Sequence, residues 1–224
     1  MKKTTLHTAI IAAAAALAAP VFAAELPQSA ELQYSGSYGI PATMTFTRSG
    51  NSYKIVSNIK VPLYRIRFES GGTISGNTLR PTYYKDIRGG KTYAEATFKG
   101  GNVSYGKVGE QKTEAVSGPT MDLFTLAWQL AANDAKLPGG LKITNGKKLY
   151  NVGGLSAIGS SQYKISGGNT PVNRYRVRRG DDTVTYAFAP AFGNIPAQIS
   201  YSDDGKTYDL KLTSVKINGQ TVKP

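Results

Sequence analysis

The sequence predicts a mainly β fold, in which an antiparallel sheet curves into a barrel or half-barrel and one α-helix packs on it. Short segments of alternating apolar and polar residues recur along the chain and are separated by Gly, Asn, Ser and Asp clusters. That arrangement is typical of antiparallel sheets. Only residues 120–133 show helical spacing of their apolar residues instead. A single helix among many strands is expected to lie across an open sheet or to fill a curved one.

The N-terminus has the features of a secretory signal peptide. Lys2 and Lys3 precede an apolar run over residues 9–19, and a cleavage site follows at Ala23. We therefore expect residues 1–23 to be a signal peptide and residues 24–224 to form one β-rich domain in the bacterial periplasm. The apolar run is shorter than the about 20 residues that span a bilayer, so no transmembrane helix is expected after cleavage.

A hairpin is predicted early in the mature chain. Met44 and Phe46 share one face of its first strand, and Tyr53 and Ile55 share one face of the next. The turn composition of residues 49–52 connects the two. These patterns predict antiparallel strands with a common apolar face.

A second hairpin is predicted near the C-terminus. Residues 197–201 and 208–215 alternate on either side of Asp203-Asp204-Gly205, which has the composition of a tight turn. The same acidic segment lacks the further ligands of a calcium loop. We therefore interpret it as a turn only.

Two strands alternate arginine with apolar or aromatic residues. Residues 64–68 have the sequence Tyr-Arg-Ile-Arg-Phe, and residues 174–178 have Arg-Tyr-Arg-Val-Arg. Alternation places the arginines on one face, about 7 Å apart, where guanidinium groups can bind phosphates or carboxylates. The predicted anion-binding residues are Arg174, Arg176, Arg178, Arg65 and Arg67.

Repulsion along the second arginine strand needs compensation. Acidic residues on a neighbouring strand would supply it structurally, and Asp181 and Asp182 are close in sequence. A bound anionic ligand would supply it functionally. The sequence leaves both interpretations open.

The helix is predicted over residues 120–133. Thr120 is a candidate cap for its first turn, and Asp122 suits the positive end of its dipole. Trp128, the only tryptophan, lies beside the apolar stripe. We expect this ring to anchor the helix to the sheet rather than to contact a ligand.

The mature chain lacks cysteine and histidine, because the only histidine, His7, lies in the predicted signal peptide. A Ser-His-Asp triad, a cysteine nucleophile and a zinc site are therefore excluded, and no cofactor is expected. Carboxylate chemistry remains, since a glycoside hydrolase needs only two carboxylates about 5–10 Å apart. The acids away from evident turn tips are Glu31, Glu69, Glu95, Glu110, Glu114, Asp86 and Asp122.

The mature chain is strongly basic. Loss of Lys2 and Lys3 reduces the 27 basic residues to 25, against 14 acidic residues. Outside the inner membrane the available anions are lipid headgroups, lipopolysaccharide phosphates and acidic glycans, so no binding to nucleic acid is expected. The same excess also fits a role in solubility alone.

The order of several short motifs resembles the bacterial exported family DUF3108 over nearly all of the mature sequence. This resemblance implies a curved, mainly antiparallel sheet with the helix packed on it, and it implies no activity or catalytic residues. Trp128 and the alanines after it depart from the Tyr and Arg expected at that helix end. The matching motifs are Tyr34 with Gly36 and Gly39, Phe68-Glu69-Ser70-Gly71-Gly72, Leu79-Arg80-Pro81 before Tyr83-Tyr84, Met121 to Trp128, Leu137-Pro138-Gly139, Asn145-Gly146-Lys147-Lys148 and Asn194-Ile195-Pro196-Ala197.

These features favour a periplasmic, non-catalytic protein that uses the concave face or rim of the sheet for binding. The expected partner is a lipid, lipopolysaccharide or acidic glycan, or an envelope protein. One alternative is a carboxylate-based glycan hydrolase. Another is an outer-membrane β-barrel, whose strands alternate in the same way, although the helix at residues 120–133 favours a soluble core.

Overall fold

A computed structural model describes residues 25–62, 64–203 and 206–224, so the predicted signal peptide lies outside the described residues. The described chain consists mainly of strands. The strands are β1 (Ser29–Ser35), β2 (Pro41–Ser49), β3 (Ser52–Val61), β4 (Tyr64–Ser75), β5 (Thr78–Arg88), β6 (Lys91–Lys99), β7 (Asn102–Lys107), β8 (Lys112–Ala115), β9 (Thr120–Asp122), β10 (Lys142–Thr144), β11 (Leu149–Ile165), β12 (Gly168–Arg179), β13 (Asp182–Ala189), β14 (Ile195–Asp203), β15 (Lys206–Ile217) and β16 (Gln220–Thr221). The α-helix is α1 (Leu123–Ala132), and short 3-10 turns lie at Ser37–Gly39 and Pro190–Phe192.

One large curved sheet contains all of these strands, which confirms the predicted fold class. Its order is β8-β7-β6-β5-β4-β3-β2-β1-β15-β14-β13-β12-β11-β10-β9, with β16 beside β15. Neighbours are antiparallel except β9 and β10, which are parallel. The pairing of β1 with β15 joins an N-terminal half to a C-terminal half. Gly106 N of β7 donates to Gly146 O of the β10–β11 loop (2.8 Å), which brings the two halves close together.

Bulges curve the sheet, and glycine makes the sharpest of them possible. The register of β4 against β5 shifts between Gly71 and Gly72. A Cβ atom added to Gly72 would lie 2.0 Å from Arg80 O, which is closer than any real contact. Because a bulge bends its strand and increases the local twist, this glycine pair helps to curve the N-terminal half around the helix.

Both predicted hairpins are confirmed. Ser49 pairs with Ser52 at the end of the β2–β3 ladder, and Met44, Phe46, Tyr53 and Ile55 are all buried. Near the C-terminus β14 pairs with β15 in antiparallel register. The turn between them includes residues 204–205, which lie outside the described residues.

Helix α1 fills the concave side of the sheet, and all of its residues are buried. Its start corrects the predicted one. Thr120 is not the cap, since residues 120–122 form β9 and pair with β10 in an extended conformation. Asp122 is the cap instead, and its Oδ1 accepts hydrogen bonds from Phe124 N (2.9 Å) and Thr125 N (3.0 Å). The helix is therefore shorter than predicted by three residues at this end.

Trp128 anchors the helix to the sheet, as predicted. Its side chain is 1% exposed and its ring stacks on Phe46 of β2, with 4.4 Å between ring centroids. Within the described residues, its indole Nε1 has no hydrogen-bond partner. The contribution of this side chain is therefore one of packing.

Replacing Trp128 with alanine is expected to lower the free energy of unfolding by about 3–5 kcal/mol, because a large buried side chain is lost. Trp128→Phe keeps a ring against Phe46 and removes no satisfied polar group, so its loss should be clearly smaller. Urea denaturation followed by circular dichroism measures both variants. Equal losses would contradict a role for ring stacking.

Candidate functional site

The predicted arginines of β12 form an exposed row without acidic neighbours. Arg176 and Arg178 are exposed, and Arg174 is half-buried. None of the three forms an ion pair with another described residue, so acidic cross-strand partners do not compensate this row. The residues paired with them on β11 and β13 are neutral, namely Gly154, Ser156, Thr183, Thr185 and Ala187.

The adjacent Arg179 pairs with Asp182, one of the two acidic residues that the sequence suggested as partners of this row. It lies 3.8 Å from Asp182, stacks 4.6 Å from the Tyr150 ring centroid and donates from Nη2 to Ser202 O (2.9 Å). Its side chain is 1% exposed. Sequence reasoning missed it, although its spacing of two from the buried Val177 places it on the inner face.

The predicted arginines of β4 lie elsewhere on the sheet. Arg65 is exposed, whereas Arg67 Nε bonds Glu69 Oε1 at 2.6 Å. Glu69 also lies 3.8 Å from Lys54. Strands β3, β2, β1, β15, β14 and β13 separate β4 from β12, so the two arginine sets do not form one site.

Two of the candidate carboxylates are buried, and they differ in their partners. Asp86 is 2% exposed and is bound by Arg88, whose Nη2 lies 2.8 Å from Asp86 Oδ2. Asp122 is fully buried and is bound by hydroxyl and amide groups instead. In the described part of the chain, no group of three acidic side chains is placed to hold a metal ion.

The geometry around Asp122 fits a protonated carboxyl group. Asp122 Oδ2 lies 2.5 Å from Ser70 Oγ and 2.6 Å from Thr125 Oγ1, and the two hydroxyl oxygens are 2.7 Å apart. Three mutually bonded oxygen atoms need three hydrogens, of which the hydroxyls supply two. A proton on Asp122 would supply the third. Burial raises the pKa of Asp122, and the hydrogen bonds from Ser70, Thr125 and the helix amides oppose that rise.

A cleft opens beyond the C-terminal end of α1, between the helix and the turns of β5 to β7. We call it the helix-end cleft, and its volume is about 700 Å³. Its deep part is apolar, with Leu79, Val103 and Met121 all buried. Gln129 also lines it, but Gln129 Oε1 accepts from Leu79 N (2.7 Å) and Nε2 donates to Asn77 O (2.9 Å). The floor therefore offers apolar surface with its polar groups already bonded.

Three cations line the same cleft. Arg80 comes from β5, Lys99 from the end of β6 and Lys136 from the segment after the helix, and all three are exposed. The lining residues that the structure describes include no Asp or Glu, and none of these cations forms an ion pair with a described residue. Sequence reasoning missed them, because they lie in three separate segments with no shared motif.

A second large cavity, about 640 Å³, has the opposite charge character. It lies near the turn after β1 and is lined by apolar residues, among them Ile59 and Leu210. Among its described lining residues, Asp209 is the one charged residue, and none is Lys or Arg. In neither large cavity do the described lining residues include two carboxylates. The helix-end cleft is therefore the better candidate site for an anion.

The pKa of Asp122 predicts a pH-dependent difference from Asp122→Asn. Because the folded pKa lies above the ordinary value of 3.8, stabilisation by the protonated form is complete below that value and is lost as pH rises through the folded pKa. Asparagine keeps an oxygen that accepts from Phe124 N and Thr125 N, and its uncharged amide group can donate to the Ser70 and Thr125 hydroxyls. The variant's free energy of unfolding should therefore rise relative to wild type with increasing pH, as measured by urea titrations. A pH-independent difference would contradict this assignment.

Comparisons with known proteins place the chain in a family. Residues 31–213 match the family described as "Protein of unknown function (DUF3108)". No curated protein shows a significant match. Among solved structures, the chain is similar to a β-barrel-like protein of domain of unknown function DUF1849 from Brucella abortus, with 12% identity and a TM-score of 0.48, over 87% of this chain and 99% of that one. The described residues contain no helix with the length and hydrophobicity to cross a membrane. The chain belongs to the DUF3108 family.

Proposed function

We propose that this protein is a non-catalytic binding protein of the bacterial cell envelope that holds an anionic amphiphile in the helix-end cleft. One observation carries the proposal. A single cleft combines a buried apolar floor with three cations and no acidic residue in its lining. The apolar part of the ligand would lie on the floor and its anionic group at the cations.

The size and lining of the cleft suit an acyl chain. Its volume of about 700 Å³ falls within the range of about 300–1,000 Å³ that small-molecule sites occupy. Burial of apolar ligand surface contributes about 25 cal/mol per Å². Both Oε1 and Nε2 of Gln129 already form hydrogen bonds within the protein. An apolar chain bound there would therefore leave neither group without a partner.

The cations suit a phosphate or carboxylate headgroup. Arg80 can bind such a group through two parallel hydrogen bonds, and Lys99 and Lys136 act as point charges. Each exposed charge contributes little alone, but the three come from different segments and line one cleft. Because exposed charges are screened, the affinity should fall as salt concentration rises.

The composition supports the same proposal. An exported chain with a basic excess meets anionic lipids and lipopolysaccharide rather than nucleic acid. A mature chain without His or Cys also suits binding better than acyl-transfer or metal-dependent chemistry.

Binding of lysophosphatidylglycerol, with zwitterionic lysophosphatidylcholine as the comparison of no net headgroup charge, tests the proposal by isothermal titration calorimetry. The triple variant Arg80→Gln, Lys99→Gln, Lys136→Gln should weaken binding of the anionic lipid by about tenfold or more and flatten its salt dependence. Lys60→Gln with Arg65→Gln is the control, because it removes exposed cations from the distant β3–β4 ladder. Equal affinities of the triple variant and wild type for the anionic lipid would overturn the proposal.

A second variant separates the apolar contribution from the charge. Val116 lines the cleft and is only partly buried, so Val116→Trp should fill space without disturbing the core. Binding of both lipids should fall by about tenfold, since the apolar floor is then occupied. Unchanged affinity for both lipids in this variant would show that they bind elsewhere.

A further inference from the structure

We infer that the free edge of β11, together with Arg176 and Arg178 of β12, binds an extended acidic segment of another protein as an added strand. This inference is independent of the helix-end cleft, because none of these residues lines it. It depends on the unpaired edge, its lack of charge, and the direction in which the arginine side chains extend.

The edge of β11 is open over most of its length. Strand β10 covers only residues 149–151. Val152 N still donates to Leu141 O (3.0 Å), on the side of β10. From residue 153 onward β11 pairs with β12 on one side, and no described strand pairs with its other side. Four residues of this stretch are exposed, namely Gly153, Gly154, Ser156 and Ala157. An exposed edge of this kind presents unpaired N–H and C=O groups to another chain.

This edge lacks the charged residues and the proline that commonly prevent an edge strand from pairing. Residues 152–163 contain no charged residue and no proline. Strand β8, the edge strand of the N-terminal half, gives a comparison. It is only four residues long and carries Lys112 and Glu114. Short length and charge are common protections of an edge strand, and β11 has neither.

Bulges limit the length of an added strand. The β11–β12 register shifts between Val152 and Gly154 and again between Ala157 and Ser160. Because bulges bend a strand, the regular stretch lies between these two points. We therefore expect a short added strand centred on residues 154–157.

Arg178 of β12 extends across β11 toward this edge. Arg178 Nη2 donates to Gly153 O (3.2 Å), and a Cβ atom on Gly153 would lie 2.5 Å from Arg178 Nε. Arg176 is paired with Ser156, another small residue. Since adjacent strands are about 4.8 Å apart, a guanidinium that crosses β11 can meet a side chain of a strand added beside it.

The charge of the surface selects an acidic partner. Arg176 and Arg178 are exposed, and neither forms an ion pair with a described residue. Side chains on one face of a strand recur at every second position, so acidic residues at alternate positions would meet both guanidinium groups. A second copy of this chain fits poorly, because basic residues outnumber acidic residues by 27 to 14.

Two synthetic peptides of about eight residues, one alternating Thr with Glu and the other Thr with Lys, test the inference by fluorescence anisotropy. Wild type should bind the Glu peptide about tenfold or more tightly than the Lys peptide. Arg176→Glu with Arg178→Glu should reverse that preference. Lys60→Glu with Arg65→Glu is the matched control, since it changes the net charge equally on distant strands and should keep the wild-type preference.

The pairing of backbones is tested separately from charge. Glu peptides methylated on the amide nitrogens of either the odd or the even residues should differ, because only one set of N–H groups faces β11. Hydrogen exchange should slow at residues 153–157 when the unmethylated peptide binds. Equal binding of both methylated peptides, or equal binding of the Glu peptide to the reversed and control variants, would overturn the inference. Protection of β11 by self-association of the free protein would also overturn it and identify a second copy as the occupant.

Discussion

The structure depends on a helix that is buried on every side. A helix inside a protein has no water to satisfy its terminal backbone groups or its polar side chains, so neighbouring strands must do so. Asp122 caps the first turn, and Tyr186 OH of β13 donates to Leu123 O (3.0 Å). At the other end Asn77 Nδ2 donates to Ala132 O (3.2 Å). Because β13 and the β4–β5 turn, which belong to different halves of the sheet, supply these partners, burial of the helix and curvature of the sheet require each other.

The helix-end cleft follows from a difference in length. Helix α1 has 10 residues and spans about 15 Å at 1.5 Å per residue. Strands β4 and β5 have 12 and 11 residues and span more than about 35 Å. The helix therefore cannot cover the whole concave side. Where it ends, apolar inner-face residues such as Leu79 and Val103 are left to line a cavity.

Sequence periodicity predicted those features that depend on neighbours in the chain. Alternation placed Met44 and Phe46 inside, and the same rule applied to Arg179 would have placed it beside Val177. The predicted start of the helix was wrong because β9 pairs with residues 142–144, which are remote in sequence. This pairing holds Thr120 in an extended conformation. Convergence of Arg80, Lys99 and Lys136 likewise depends on the fold alone. The free edge of β11 could not be predicted either, since alternation does not show which strands pair.

The placement of charge is central to both proposals. At the helix-end cleft and on β12, the cations form no ion pair with a described residue. On the β3–β4 ladder, Arg67 lies 2.6 Å and Lys54 lies 3.8 Å from Glu69, whereas Arg65 is exposed. An excess needed only for solubility could be distributed in any way over the surface. The unpaired cations of β12 adjoin an uncharged open strand edge, and those of the cleft adjoin buried apolar surface. The first combination would suit an acidic extended segment. The second would suit an anionic amphiphile.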